Sequence, residues 1–259
     1  GQRLPAFALN RLAINLGFAA GPAIAGLLAD RSFTYLFVGD ALTSIVFGVL
    51  ALAALPEGVR TRRGDERRGE GIRTIARDRA FLFFLVSSIL GAFVYFQANA
   101  TFPLQITESG FSNADYGLLI SLNGLAIVVL ELPLTSITQR TPTIPTLALG
   151  SLLVGLGFAL NAWAETLAAF AVTVFIWTIG EIVYAPVASA YVADIAPTHL
   201  RGRYQGAWDL TWGLAFMLGP GLGAAFFAWH GDAFWLLCGV LGVLSAGLLL
   251  AGSRTPRSR

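Results

Sequence analysis

The chain has 259 residues, of which 56% are hydrophobic and only 12% charged, and its mean hydropathy is +0.69. Soluble domains average about 25% charged residues, so a soluble globular protein is excluded and an integral membrane protein is implied. All 17 basic residues are Arg, the pI is near 9.0, and the single cysteine, Cys238, excludes a disulfide framework.

Eight apolar runs are long enough to cross a hydrocarbon core of about 30 Å as helices. They are 12–30, 33–56, 81–104, 116–136, 144–164, 167–193, 207–229 and 232–252. Continuous runs of this length exclude a β-barrel, whose strands are alternating segments of about ten residues. The first run contains Gly21-Pro22-Ala23-Ile24-Ala25-Gly26, and Gly219-Pro220-Gly221-Leu222-Gly223 lies 198 positions further on in the seventh. Pro removes a backbone donor and Gly admits a neighbouring helix, so each copy marks a bend or a tight crossing. The pair reads as two independently kinked helices or as equivalent elements of two duplicated halves.

With Gly1 taken as cytoplasmic, sixteen of the seventeen Arg fall on the cytoplasmic side, and only Arg31, beside Asp30 in a tight turn, lies outside. Glu108, Asp115, Glu165 and Asp232 fall in the external loops. The positive-inside rule then predicts a multi-pass protein of the inner (plasma) membrane with both termini cytoplasmic. Loop Arg explains the pI, so no nucleic-acid partner is implied. Residues 57–80 carry eight Arg among five acidic residues and are predicted to be a basic cytoplasmic linker. The linker separates a first segment, 1–56, with two spans from a second, 81–259, with six. Within it, Ile72 and Ile75 among charges predict a short helix lying on the membrane surface.

Polar groups inside the runs are the candidates for chemistry, since an Asp or Arg at the centre of a membrane helix costs about 2.5–3.5 kcal/mol. Asp40 in the second run is expected to bond a neighbouring helix. Tyr95 and Asn99 lie four apart in the third run, with Gln97 on another face, and Asn123 is near the middle of the fourth. Such amides bind solute or join helices. Glu131 precedes Pro133, and Arg140 follows within reach of a gating ion pair or as a solvated interfacial charge. In the sixth run Trp177, Glu181, Tyr184 and Ala188 recur at helical spacing, so they share one face. A carboxylate in an aromatic wall suits a cationic, apolar solute or the uptake and release of a proton; the alternative is a Glu bonded to neighbouring helices for packing. Asp209 is expected at the start of the seventh helix, as a cap or gate contact. Trp163 and Trp229 read as interface anchors. No Cys, His or carboxylate cluster has metal-ligand spacing, and no glycine-rich phosphate cradle follows a strand, so neither enzyme, metal nor cofactor is expected.

Two helices, a basic linker and six more helices, with the Gly-Pro element repeated, resemble a major facilitator superfamily transporter lacking its first four helices. The stretch Asn15 to Gly26 is similar to the Gly-Pro motif of the fifth helix in the drug–proton antiporter branch, with Leu27 where a second small residue is expected. Ala193-Asp194-Ile195-Ala196-Pro197, followed by Leu200-Arg201-Gly202-Arg203-Tyr204, resembles the family's cytoplasmic loop between helices ten and eleven. Gln139-Arg140-Thr141-Pro142 resembles a degenerate copy of its inter-helix gating loop. The resemblance implies an all-α, major facilitator-type bundle with eight of twelve helices present, numbered five to twelve. It implies that helices five, seven, eight, ten and eleven face a central cavity, and that the halves rock around it.

The function implied is proton-coupled export of small amphipathic organic compounds, with the bilayer, the solute and the proton as partners. Glu181, Trp177, Tyr184, Asn99, Tyr95 and Asn123 are the candidates for solute or proton contact. Gly21, Pro22, Gly26, Gly219, Pro220, Glu131, Arg140, Arg201, Arg203 and Asp209 are the gate or motif candidates. Uptake of another small solute, and an inactive or accessory membrane fragment, are the competing readings.

Overall fold

The computed structural model describes residue 17 and residues 20–54 and 70–254. Arg3, Arg11, Asn15, Arg257, Arg259 and the linker residues 55–69 therefore lie outside the described residues. The described part of the first helix, α1, covers 20–31. It is followed by α2 (Phe33–Ala54), α3 (Glu70–Arg77), α4 (Arg79–Ala100), α5 (Phe102–Glu108) and α6 (Asn113–Thr138). The chain continues with α7 (Thr143–Ala159), α8 (Leu167–Ile195), α9 (Arg201–Trp229) and α10 (Gly231–Ser253). Short 3₁₀ turns at Leu160–Trp163 and Thr198–Leu200 close α7 and lead into α9.

Seven helices among the described residues are long and apolar enough to cross a membrane, against the eight spans expected. The span expected at 12–30 is described only at Gly17 and from residue 20 onward. Two boundaries differ from the sequence reading. The run 81–104 is divided after Ala100, where Thr101 ends α4 and Pro103 sits in the first turn of α5. The helix expected at 207–229 begins earlier, at Arg201, because Arg and Gln are good helix formers despite their polarity. Asp209 is consequently the ninth residue of α9 and caps nothing; its Oδ1 accepts a hydrogen bond from Gln205 Nε2 at 2.9 Å. Asp40, expected to bond a neighbouring helix, is exposed on α2. The short helix expected between Gly71 and Arg79 is α3, with Ile72 exposed and Ile75 packed on the core.

The helices α4 to α10 form one bundle in which α9 packs on α4, α4 on α10, α10 on α7, α7 on α8 and α8 on α6. Lipid offers no hydrophobic drive for helix association, so close backbone approach has to supply the contacts. Gly155 of α7 faces Gly242 of α10 so tightly that a Cβ on Gly155 would stand 2.7 Å from the Gly242 Cα. Gly150 and Gly180 bring α7 equally close to α8. Aromatic clusters fill both ends of the bundle. At the end where α4 begins, Phe81 stacks on Tyr204 at 4.4 Å and Phe84 lies 5.0 Å from Tyr191. At the other end Trp177 stacks on Phe158 at 4.2 Å and meets Phe102 edge-on at 5.0 Å.

Arginines gather at one end. Arg73, Arg77, Arg79, Arg140, Arg201, Arg203 and Arg254 lie at the end where α4 begins, called here the basic end, together with Asp78 and Asp194, while Asp30, Glu108, Asp115, Glu165 and Asp232 lie at the opposite one with Arg31. Replacing Gly242 by Val forces a branched side chain between α10 and α7 and is expected to cost about 1–3 kcal/mol. Thermal unfolding in detergent should show a lowered midpoint for Gly242→Val, whereas Gly247→Val, with nothing within 4 Å, should leave it unchanged.

Candidate functional site

Fourteen residues of α8 lie on each side of Glu181, so at about 1.5 Å per residue its Cα is roughly 21 Å from either end. The preceding Gly180 is pressed against α7, where an added Cβ would lie 2.6 Å from the Val154 amide nitrogen. That contact fixes the rotation of α8 and turns Glu181 toward α4 and α6. Glu181 Oε1 accepts from the Tyr95 hydroxyl of α4 at 3.2 Å, and Oε2 accepts from Asn123 Nδ2 of α6 at 3.1 Å. The same Asn123 nitrogen also donates to Thr178 Oγ1 at 2.9 Å.

A cavity of about 80 Å³ opens beside the carboxylate, lined by Tyr95, Tyr184, Trp212, Ser88 and Ser151 among others. Tyr184 reaches Ser88 at 3.2 Å, and Trp212 of α9 meets Tyr95 edge-on at 5.5 Å. Among the described residues lining the cavity none is basic, so the carboxylate's partners there are neutral. The arrangement supplies one exchangeable charge, aromatic faces and hydroxyl groups at mid-bundle. It suits a proton or a cation paired with apolar surface.

Of the six residues expected at the site, Glu181, Tyr95 and Tyr184 line the cavity and Asn123 bonds Glu181 from outside it. Trp177 does not join them; it lies one turn before Glu181, 2% exposed in the core and stacked on Phe158, where Gly157 of α7 admits it against that helix's backbone. Asn99 is exposed on α4, one turn beyond Tyr95. Trp212, Ser88 and Ser151 escaped the sequence reading. Trp212 could have been found from its position four residues after Trp208 in a polar-faced helix; a serine in an apolar run gives no comparable signal.

The two Gly-Pro elements sit in different surroundings. In α1 a Cβ on Gly117 of α6 would collide with the Pro22 carbonyl, and one turn on, Gly26 lies directly against Asn113. A further turn on, Asp30 Oδ1 accepts from the Asn113 amide at 2.9 Å and Oδ2 from the Ala114 amide at 3.0 Å. Residues 22, 26 and 30 thus form one face of α1 clasping the start of α6. Ser112 and Asp115 complete that helix start with a capping box. Nothing lies within 4 Å of a Cβ added at Gly21. In α9 the fully buried Gln97 of α4 donates to the Gly219 carbonyl at 3.2 Å, accepts from Thr101 at 2.9 Å and fills the space beside Gly223. Pro220 follows inside the helix.

At the basic end Tyr204 donates to Asp78 Oδ2 at 3.0 Å, and Asp78 Oδ1 caps α4 through the Phe81 amide at 3.0 Å. Arg203 lies against Gly71 of α3, so the Arg201–Tyr204 stretch docks on α3 and α4. Arg201 and Arg140 are exposed, and Glu131 lies in α6 two residues before Pro133.

A multi-pass helical bundle with a half-buried carboxylate midway along one of its helices has the build of a membrane transporter. The sequence profile of the Major Facilitator Superfamily matches residues 1–112 and 98–259, and the chain belongs to that family. It is 28% identical over 230 residues to the uncharacterized MFS-type transporter YqjV of Bacillus subtilis, covering 85% of this chain and 55% of that protein. It is 24% identical to a Na⁺, Li⁺, K⁺/H⁺ antiporter of Planococcus maritimus, covering 96% of this chain and 65% of that protein. The chain therefore spans about half to two thirds of the length of these relatives. A crystal structure of the peptide transporter POT in complex with sulfate superposes with a TM-score of 0.67 at 18% identity, over 96% of this chain and 67% of that one, which establishes the shared fold.

Removing the Asp30 carboxylate leaves the Asn113 and Ala114 amides without their acceptor, at a cost of about 0.5–2 kcal/mol for a lost cap. Hydrogen exchange at the start of α6 should accelerate in Asp30→Ala and remain unchanged at the start of α8.

Proposed function

We propose that this chain forms the greater part of a secondary active transporter that exports small amphipathic organic cations in exchange for protons. The observation that carries this reading is the Glu181 carboxylate, held at mid-bundle by neutral donors beside an aromatic-lined cavity. A charge in such a place is costly unless compensated. Either a proton or an organic cation compensates it, and the two exclude each other on one carboxylate. Exchange follows from that exclusion when the site faces one side of the membrane and then the other.

In this reading the basic end is cytoplasmic, in line with the positive-inside rule, and both termini lie on that side. Residues 1–56 belong to one rocking half and 81–259 to the other. Pro22, Gly26 and Asp30 would then form a clasp on α6 at the external side, closed when the cavity faces inward and opened as the halves rock. Gln97 against Gly219 and Gly223 would hold α4 to α9 through the same movement. Tyr204 and Asp78, with Arg201 and Arg203 beside them, would belong to the cytoplasmic gate.

A second reading is favoured by one relative, the Na⁺, Li⁺, K⁺/H⁺ antiporter. The Glu181 oxygens, the Thr178 hydroxyl and the Tyr95 hydroxyl also offer hard oxygen donors to an inorganic monovalent cation. The aromatic lining has no purpose for such an ion, which is why organic cations are preferred.

Inverted vesicles containing the protein expressed from its complete reading frame provide the test. Uptake of a cationic dye driven by an inside-acid pH gradient is expected in the wild type. In Glu181→Gln, at unchanged abundance, it is expected to fall by about 5–150-fold, the span of one coupling free energy of about 1–3 kcal/mol. Proton efflux prompted by Na⁺ or K⁺ but by no organic cation would favour the second reading. Undiminished dye uptake in Glu181→Gln would overturn the role of the carboxylate.

A further inference from the structure

On the outer surface at the basic end, a groove of about 580 Å³ runs between α4 and α10. Arg79 stands at its mouth, and Leu82, Phe83, Val86 and Leu248 line it. Arg79, Phe83 and Val86 are spaced at i, i+4 and i+7, so they follow one face of α4 along the helix axis. The groove begins where the two helices touch: a Cβ added at Gly252 would lie 2.8 Å from the Phe83 Cβ and 3.5 Å from the Ala80 carbonyl. The helices stay joined on their inner side, where Ser245 of α10 bonds Ser87 of α4, while on the outer side Leu82 is 37% and Val86 48% exposed.

Charge and apolar surface are arranged in sequence along this groove. Arg79 is exposed in the first turn of α4, and Arg254, also exposed, closes α10 two residues after Gly252. Exposed Arg73 and Arg77 lie on the adjoining α3. The neighbouring carboxylate of Asp78 is directed elsewhere, accepting from the Phe81 amide and from the Tyr204 hydroxyl. Ile72, 69% exposed on α3, gives that helix an apolar contact with the interface. Guanidinium groups at the level where a membrane helix begins, above an apolar channel facing hydrocarbon, match a phospholipid's charged head and acyl chain. An aqueous anion would match the Arg residues but leave the apolar channel without a role.

We propose that this groove binds an anionic phospholipid, its phosphate on Arg79 with Arg254 beside it and one acyl chain along Leu82, Phe83, Val86 and Leu248. The site is separate from the Glu181 cavity and does not depend on which solute is transported. Its placement across α4, α10 and the adjoining α3 lets lipid charge fasten the linker end of the bundle to the membrane surface.

The purified full chain, equilibrated in mixed micelles with equal amounts of palmitoyl-oleoyl phosphatidylglycerol and phosphatidylcholine, is analysed by native mass spectrometry. Phosphatidylglycerol should be retained in preference to phosphatidylcholine. Arg79→Gln should reduce that retention by about fivefold, the factor for roughly one basic residue at an anionic surface. Arg79→Lys should restore most of it, and Leu248→Trp should lower it by filling the groove with Arg79 intact. Equal retention of both lipids would overturn the proposal. So would loss in Arg79→Gln without loss in Leu248→Trp, which would place the anion on the surface. Lowered thermal stability of Leu248→Trp with unchanged lipid retention would assign the groove to a protein segment and overturn it as well. Gel filtration of each variant separates these outcomes from misfolding.

Discussion

A carboxylate fourteen residues from either end of a membrane-spanning helix is far from bulk water, so the protein has to supply hydrogen bonds to it. Tyr95 and Asn123 supply them, from the successive membrane-spanning helices α4 and α6. Holding both donors at once requires α4, α6 and α8 to keep a fixed register. The demand of one side chain thereby organises the middle of the bundle.

That register is kept by small residues and aromatic plugs rather than by burial from water. Gly150 against Gly180 and Gly155 against Gly242 bring α7 into near backbone contact with α8 and α10. The stacks of Phe158 on Trp177 at one end and Phe81 on Tyr204 at the other fill the space that the helices leave. Between them the cavity beside Glu181 occupies the middle of the bundle. The same economy appears at the start of α6. Asp30, reaching from α1, satisfies two amides that a helix cannot satisfy itself. The Gly-Pro stretch of α1 provides the close approach that brings Asp30 there.

Much of this plan was legible in the sequence, because the membrane imposes long apolar runs and penalises buried charge. Span positions, the short helix at Glu70–Arg77 and the singling out of Glu181 as a charge in mid-helix follow from those two rules. Hydropathy could not place the start of α9, since Arg201, Arg203 and Gln205 are polar yet helical, and the capping role expected of Asp209 is lost with it. Helical spacing groups Glu181 and Tyr184 but also includes Trp177, which shares their face yet lies one to two turns further along the axis, level with Phe158 rather than with the cavity. The partners of a buried group depend on which helices adjoin, and that is long-range information. For this reason the sequence pattern does not reveal Trp212, Ser88 or Ser151, puts Gln97 on another face from Tyr95 and Asn99, and places Asp30 in a turn rather than on the start of α6.

In the proposed exchange a proton and an organic cation compete for the Glu181 carboxylate. Adding tetraphenylphosphonium to the purified protein in weakly buffered solution and recording the pH tests this most directly. Each cation bound is expected to displace a proton from the wild type, and Glu181→Gln to release none. Binding without proton release, or equal release from Glu181→Gln, would contradict it.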